Sequence, residues 1–217
     1  MRIIKTCIFD LDGVIVDTAK YHYMAWKETA RELGFDFTEN DNERLKGVSR
    51  MASLEILLSV GKIKLSDEEK EYQADKKNKY YQSLIAGMKP DEILHGAYEF
   101  IELVRNAGLK TALGSASKNA MTILNRLNLT QLFDAVIDGS QVINAKPNPE
   151  IFLKAAKALN MDVAQCIVFE DAQAGVDAAH AAGMKCVGIG SPDVLKNADL
   201  IVSGLDKMLL GMIEENF

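Results

Sequence analysis

Short apolar runs bounded by turn residues recur along the chain, and such runs predict buried β-strands. There are five clear runs, at residues 3–9, 111–113, 135–137, 166–169 and 186–189. Segments with helical periodicity lie between the later runs, at residues 98–107, 118–127, 150–159 and 176–182. Strands that alternate with helices predict right-handed crossovers and a parallel sheet with helices on both faces. We therefore predict an α/β fold with a Rossmann-like parallel sheet core.

One region departs from this alternation. Between about residue 18 and residue 88 the chain has helical stretches and no convincing strand. Ser66 and Glu69 form a capping-box pattern that opens a long, charged helix ending near Ile85. The simplest interpretation is a helical cap subdomain inserted after the first strand, with the cap at residues 18–87 and the core at residues 1–17 and 88–217.

Composition narrows the class of protein. The 217 residues, of which 48% are hydrophobic and 26% charged, are typical of a soluble globular protein. The formal net charge is -6 and we find no basic face, so a nucleic-acid partner is not expected. Asp10 and Asp12 interrupt the apolar N-terminal run too early for a signal peptide, so we expect a cytoplasmic protein with no membrane partner. Cys7, Cys166 and Cys186 are odd in number and far apart, which predicts buried free thiols.

Polar residues cluster at the predicted strand ends. In an open parallel sheet, ligands bind beyond the carboxyl ends of the strands. The sequence places Asp10-Leu11-Asp12 after the first strand, Gly114-Ser115-Ala116-Ser117 after the second and Glu170-Asp171 after the fourth. Lys146 stands just before a helix whose entry is set by prolines at 147 and 149.

This arrangement predicts a phosphoryl-transfer site. Like charges at close range are costly unless a cation neutralises them, and hard oxygen ligands with no His or Cys nearby in sequence favour Mg²⁺. Ser115 is expected to donate its hydroxyl to a phosphate oxygen, and Lys146 to supply a point charge to the same group. The predicted metal ligands are Asp10, Asp12, Glu170 and Asp171.

Each feature also has a plain structural explanation. Aspartates commonly end strands, an acidic pair can complement a helix dipole, and a lone lysine is usually a solvated charge. A calcium-binding EF-hand loop starting at Asp10 fails, because its fifth and twelfth positions are Val14 and Tyr21. The presence of all four features, in order and at successive strand ends, favours one shared site.

The four segments also carry a resemblance. DLDGV, GSAS, KPNPEIF and FEDAQAG resemble the ordered motifs of the haloacid dehalogenase superfamily, and the insertion after the first motif is similar to the cap of its sugar-phosphate subgroup. The resemblance implies that Asp10 is the nucleophile that becomes an aspartyl phosphate and that Asp12 is the general acid/base. Ala172 departs from the pattern, because many members have Ser there, and this leaves the metal affinity open.

The cap is expected to decide between a phosphatase and a mutase. A mutase that works through a sugar bisphosphate must hold a second phosphate with fixed cations away from Asp10. LKGVSR, residues 45–50, is the candidate, since Lys46 and Arg50 flank a Gly-Val-Ser turn. In isolation the same string predicts an ordinary helix corner with solvated charges.

LKGVSR is not isolated. Together with DGVIVDTAKYHYMAW and SASKN it resembles the beta-phosphoglucomutases of that superfamily. The implied catalytic residues are Asp10, Asp12, Thr18, His22, Ser115 and Lys146. The implied substrate-binding residues are Trp26, Lys46, Gly47, Val48, Ser49, Arg50, Ser53, Lys77, Ser115, Ala116, Ser117, Lys118 and Asn119. Packing of His22 and Trp26, capping by Thr18 and solvation of Lys77 are the plain alternatives.

The resemblance implies interconversion of beta-glucose 1-phosphate and glucose 6-phosphate through glucose 1,6-bisphosphate, which would act as activator and intermediate. A sugar-phosphate phosphatase of the same superfamily is the main alternative. A non-catalytic sugar-phosphate sensor is disfavoured, because nucleophile, acid/base, lysine and metal carboxylates are all retained. The expected partners are small sugar phosphates, and we expect a monomer.

Overall fold

The core is a six-stranded sheet. A computed structural model describes residues 4–217 of the chain. The strands are β1 (Thr6–Phe9), β2 (Lys110–Gly114), β3 (Ala135–Ile137), β4 (Cys166–Glu170), β5 (Lys185–Ile189) and β6 (Leu200–Val202). They are ordered β3-β2-β1-β4-β5-β6 and every pair is parallel. The predicted α/β fold with a parallel sheet is confirmed.

Helices cover this sheet and form the insertion. In chain order they are α1 (Ala19–Glu32), α2 (Glu39–Glu43), α3 (Arg50–Gly61), α4 (Asp67–Ile85), α5 (Ala97–Asn106), α6 (Ala120–Arg126), α7 (Glu150–Ala158), α8 (Gln173–Ala181) and α9 (Leu210–Asn216). The first four lie between β1 and the rest of the core, as the sequence predicts. In the part of the chain that the structure describes, no helix is both long enough and apolar enough to cross a membrane.

The sheet is buried on both faces. Cys7 and Phe9 belong to the hydrophobic cluster on one face, and Ile8 belongs to the cluster on the other. This burial explains why β1 reads as a continuous apolar run rather than an alternating one. The three cysteines are free and buried, which confirms the prediction for them.

The elements predicted from the sequence differ from the observed ones in several places. It missed β6, a three-residue edge strand in which only Val202 is buried, and it missed α9. The predicted start of β1 at residue 3 lies outside the described residues. Helix α6 begins at Ala120 rather than residue 118, because side-chain hydroxyls hold the preceding segment in turns: Ser117 N donates to Ser115 Oγ (3.1 Å) and Asn119 N donates to Ser117 Oγ (3.2 Å).

The cap has its own hydrophobic cluster, which includes the fully buried Trp26, Leu54 and Leu57. Helix α4 starts with the predicted capping box, in which Ser66 N donates to Glu69 Oε2 (2.7 Å) and Glu69 N donates to Ser66 Oγ (3.3 Å). The cap therefore has the apolar contacts to pack around its own centre.

Two segments connect the cap to the core, and they pair with each other. Leu94 N donates to Ile15 O (2.9 Å) and Asp17 N donates to Glu92 O (3.0 Å). Tyr21 Oη on α1 donates to the Glu92 carboxylate, which also pairs with Lys20 Nζ (2.5 Å). These contacts hold the two segments that connect the cap to the core side by side.

Candidate active site

The sheet order brings the polar strand ends together, since β1 lies between β2 and β4. Asp10, directly after β1, is only 6% exposed and donates its main-chain N–H to Phe169 O (2.9 Å). The turn that follows needs glycine, because Gly13 has φ +78° and a Cβ there would lie 2.0 Å from Asp171 Oδ2. The DLDG turn therefore packs directly on the acidic pair after β4.

Lys146 is buried at the centre of this cluster. Its Nζ donates to Asp10 Oδ1 (2.6 Å), to Gly114 O (3.0 Å) and to the Glu170 carboxylate. Burial alone would lower the pKa of Lys146, but the Asp10 and Glu170 carboxylates raise it above its usual value. The lysine therefore carries a fixed positive charge beside Asp10.

Three carboxylates form a candidate metal centre. One oxygen from each of Asp10, Glu170 and Asp171 lies within 4.8 Å of the others. Burial, together with the charges of Glu170 and Asp10, raises the pKa of Asp171 well above its usual value. A hard divalent cation suits this all-oxygen donor set and would relieve the repulsion.

The Asp12 side chain is not part of that group. Its carboxylate instead accepts a hydrogen bond from the Thr18 hydroxyl. Thr18 stands at the N-cap of α1, but its side chain does not cap the helix, so the plain capping role is wrong. Removal from bulk water and the charge of Asp10 raise the pKa of Asp12 to about 6, and the hydrogen bond from Thr18 opposes this rise.

The cap places a second polar cluster over the cleft. Lys77 is buried, and its Nζ lies 3.1 Å from His22 Nδ1 and 4.5 Å from the centroid of the Trp26 ring. Burial and the charge of Arg50 lower the pKa of Lys77 to about 7. Burial and the charge of Lys77 lower the pKa of His22 well below its usual value, so neutral His22 accepts from the ammonium. Lys77 is therefore not the solvated charge that its sequence context allows.

The LKGVSR segment, residues 45–50, is one of the places where the cap contacts the core. Gly47 has φ +72°, and a Cβ there would lie 2.6 Å from the Cβ of Ala172. Arg50 starts α3, and its Nη1 forms a long ion pair (3.8 Å) with Oδ1 of Asp75, whose side chain is largely exposed. Lys46 Nζ pairs with Glu43 Oε2 (2.8 Å) on the surface.

The loop after β2 has residues both beneath the cleft and along its side. Ser115 is fully buried, and the structure shows its Oγ accepting from Ser117 N. The side chain of Asn119 is buried and contacts α4 of the cap, where Gln82 Nε2 donates to Asn119 Oδ1 (3.0 Å) and Asn119 Nδ2 donates to Asn78 Oδ1 (2.9 Å).

One cleft of about 1830 Å³ between cap and core unites the predicted residues. Ser115 and Glu170 do not line it, because both lie fully buried beneath its floor. The predicted residues that do line it are Asp10, Asp12, Thr18, His22, Trp26, Lys46, Gly47, Val48, Ser49, Arg50, Ser53, Lys77, Ala116, Ser117, Lys118, Asn119, Lys146 and Asp171.

Sequence reasoning missed two residues of this site, Tyr81 and Asn78. The Tyr81 ring packs 4.3 Å from the His22 ring, and Asn78 lines the cleft. The available signal was helical spacing, since Tyr81 lies four residues after Lys77 and so shares its face of α4.

Most of the sequence also matches a known family. A model of the haloacid dehalogenase-like hydrolase family matches residues 4–183. The chain belongs to this family. Individual proteins are also similar to the chain over nearly its full length.

Proteins similar to this chain include both mutases and phosphatases. The beta-phosphoglucomutase of Bacillus subtilis is 40% identical over 215 residues, which are 98% of this chain and 95% of that protein. A crystal structure of beta-phosphoglucomutase from Clostridium difficile superposes with a TM-score of 0.94 at 45% identity, covering 99% of this chain and 97% of that one. A phosphorylated carbohydrates phosphatase of Thermotoga maritima is 34% identical over 83% of this chain and 82% of its own length.

Proposed function

We propose that this protein interconverts beta-glucose 1-phosphate and beta-glucose 6-phosphate through beta-glucose 1,6-bisphosphate. The observation that carries the proposal is a cleft with cationic side chains from both subdomains. The core contributes Lys146 and Lys118, and the cap contributes Arg50 and Lys77. A bisphosphate needs a second set of cations while its first phosphate reacts, and the cap provides it.

Asp10 is the proposed nucleophile. One of its carboxylate oxygens attacks the phosphorus of the bisphosphate, the bond from phosphorus to the sugar oxygen breaks, and an aspartyl phosphate forms. Lys146, already bonded to Asp10 and Glu170, offsets the charge that gathers on the phosphoryl group. The 6-hydroxyl of a beta-glucose 1-phosphate molecule then attacks the phosphorus of the aspartyl phosphate, the bond from phosphorus to Asp10 breaks, and beta-glucose 1,6-bisphosphate forms. This bisphosphate reorients, and Asp10 attacks its other phosphorus, which releases beta-glucose 6-phosphate.

Asp12 is the proposed proton carrier. When a sugar oxygen leaves phosphorus, Asp12 gives it a proton; when a sugar hydroxyl attacks, Asp12 takes the proton back. A pKa of about 6 suits both directions near neutral pH. Thr18 orients the carboxylate, and the contact between His22 and Lys77 fixes the cap groups beside it.

We propose Mg²⁺ as the cofactor, held by Asp10 and Asp171 with Glu170 behind them. The all-oxygen donor set and the raised pKa of Asp171 support this assignment. When bound, Mg²⁺ offsets negative charge on the transferring phosphoryl group. On this proposal the enzyme is an Mg²⁺-dependent phosphomutase of the isomerase class, working as a cytoplasmic monomer on small sugar phosphates.

A sugar-phosphate phosphatase is the second candidate, and the similarity to the Thermotoga maritima phosphatase favours it. Both activities share the aspartyl phosphate. They differ in what attacks it, because a phosphatase lets water reach phosphorus whereas a mutase excludes water from the closed cleft.

Phosphorus NMR separates the candidates in one experiment. The purified protein is incubated with Mg²⁺, beta-glucose 1-phosphate and a catalytic amount of beta-glucose 1,6-bisphosphate. The proposal expects glucose 6-phosphate to accumulate with little inorganic phosphate. Release of inorganic phosphate as the main product would establish the phosphatase instead, and inertness would leave a sensor.

A further inference from the structure

The cap and the core meet at a small group of carboxamides beside the cleft. Asn119, the last residue before α6, is only 6% exposed and lies against α4. Gln82 and Asn78 on α4 provide its two hydrogen-bond partners, at 3.0 Å and 2.9 Å. We refer to Gln82, Asn78 and Asn119 as the amide latch.

The amide latch joins parts that must separate during turnover. Substrate enters between cap and core, so the hydrogen bonds across this boundary have to break and form again in each cycle. Bonds between neutral amides suit that task, because each contributes little net stability and yet a buried carboxamide left without partners is penalised. The latch therefore favours the closed arrangement without locking it.

Gln82 occupies a different position from its two partners. Asn78 and Asn119 line the cleft, whereas Gln82 is exposed on α4 and does not line it. Gln82 therefore has no path to bound substrate except through Asn119. Its amide donates to the Asn119 side chain, and the main-chain N–H of Asn119 donates to Ser117 Oγ (3.2 Å) next to Lys118 in the wall of the cleft.

We propose that Gln82 is a positioning residue that holds the cap closed through Asn119 and so keeps water away from the aspartyl phosphate on Asp10. The inference rests on the proposed function, because only a mutase depends on passing that phosphoryl group to sugar rather than to water. Loss of the Gln82 amide shifts the cap toward open forms, which bind the sugar phosphate less well and admit water.

The test compares Gln82→Met and Gln82→Ala with Ser83→Ala. Methionine keeps the length of the side chain but has no amide. Ser83 is the next residue on α4, is exposed, and donates its hydroxyl to Tyr80 O (2.7 Å) within the same helix. Because both positions are exposed, urea unfolding is expected to report equal stability for the three variants.

Two rates are measured for each variant. Loss of one neutral hydrogen bond is expected to lower kcat/KM for isomerisation by about threefold to tenfold, and to speed hydrolysis of the aspartyl phosphate by a similar factor, in both Gln82 variants. Formation of the aspartyl phosphate from acetyl phosphate, which has no sugar to enclose, stays at the wild-type rate. A merely structural role would change the unfolding transition and leave the ratio of isomerisation to hydrolysis constant.

The outcomes distinguish this inference from the proposed function. Wild-type rates of isomerisation and hydrolysis in Gln82→Met overturn the latch while the mutase stands. Absence of isomerisation in the wild type overturns the mutase, and the latch is then judged on hydrolysis of the aspartyl phosphate made from acetyl phosphate. Faster hydrolysis in Gln82→Met than in Ser83→Ala supports the latch, and equal hydrolysis overturns it.

Discussion

Two aspartates that stand two residues apart have different surroundings, and the difference supports the two roles proposed for them. Asp10 accepts a hydrogen bond from the Lys146 ammonium (2.6 Å), which holds the carboxylate of the proposed nucleophile in place. Asp12 is held by the Thr18 hydroxyl and has a raised pKa, as a proton carrier requires. Environment rather than residue type separates two carboxylates on one turn.

The Thr18 hydroxyl is expected to set the pH dependence of the reaction. Its hydrogen bond stabilises the Asp12 carboxylate, so Thr18→Val raises the pKa of Asp12 above its present value of about 6. A base that ionises at higher pH moves the ascending limb of kcat/KM to higher pH. The pH profile of isomerisation measures this shift. Thr29→Val is the control, because that buried cap threonine donates only to Ala25 O (3.1 Å); an unmoved limb in Thr18→Val would contradict the prediction.

Arg50 is expected to matter for the sugar bisphosphate and not for a small phosphoryl donor. Losing a hydrogen bond to a charged group costs about 1.5 to 3 kcal/mol, so Arg50→Ala should slow isomerisation by roughly tenfold to a hundredfold. Arg50→Lys should restore little, because a point charge does not reproduce the two-pronged guanidinium. Aspartyl-phosphate formation from acetyl phosphate is measured in parallel. Equal losses in both assays would argue against a distal-phosphate role.

At the scale of elements, the sequence predicts the part of the site at the strand ends of the core better than the part in the cap. The parallel topology fixes which ends of β1, β2 and β4 are neighbours, so Asp10, Ser115 and Glu170 are expected together from chain order alone. Helix α4 is different, because its charged residues lie between positions 67 and 79 and one of them, Lys77, is on its buried face. Gln82 therefore gives no signal in the sequence, since its contact depends on how the cap packs.

The sequence likewise gives no sign of the contact between Gly47 and Ala172, which only the structure shows. From this contact we predict the effect of a substitution in the cap loop. Gly47→Ala adds a methyl group that lies 2.6 Å from the Ala172 Cβ, so the loop is displaced from the core. Gly34→Ala is a matched control, because Gly34 also has a positive φ, +87°, but nothing lies within 4 Å of the added Cβ. Both variants should lose about 1 kcal/mol of unfolding free energy from the strained backbone.

Only Gly47→Ala should also lose isomerisation, by roughly the tenfold or more that follows from small misplacements of binding groups. Steady-state kinetics measures the loss of isomerisation in both variants, and urea unfolding measures the loss of stability. Equal activities would show that the cap loop can move away from Ala172 without consequence.

At the scale of the whole molecule, activity is expected to depend on a divalent cation. Carboxylates from two strand ends converge on one point, and a cation is needed for them to share it in ionised form. Removal of metal by EDTA should abolish isomerisation, Mg²⁺ should restore it, and Asp171→Ala should require a higher Mg²⁺ concentration for half-maximal rate. Titration of activity with Mg²⁺ after exhaustive dialysis measures this. Full activity in the metal-free protein would contradict it.

The central position of β1 has a consequence for how the chain acquires its structure. Strand β1, which precedes Asp10, comes before the other five strands in the sequence, but its neighbours begin only at Lys110 and Cys166. The insertion that follows it is contiguous in sequence, and its helices pack around their own apolar centre long before β1 has a partner. Pulsed hydrogen exchange during refolding should therefore protect the amides of α1, α3 and α4 before those of β1. Simultaneous protection would mean that cap and core fold as one cooperative unit; the expected order means that β1 stays unpaired until β2 and β4 reach it.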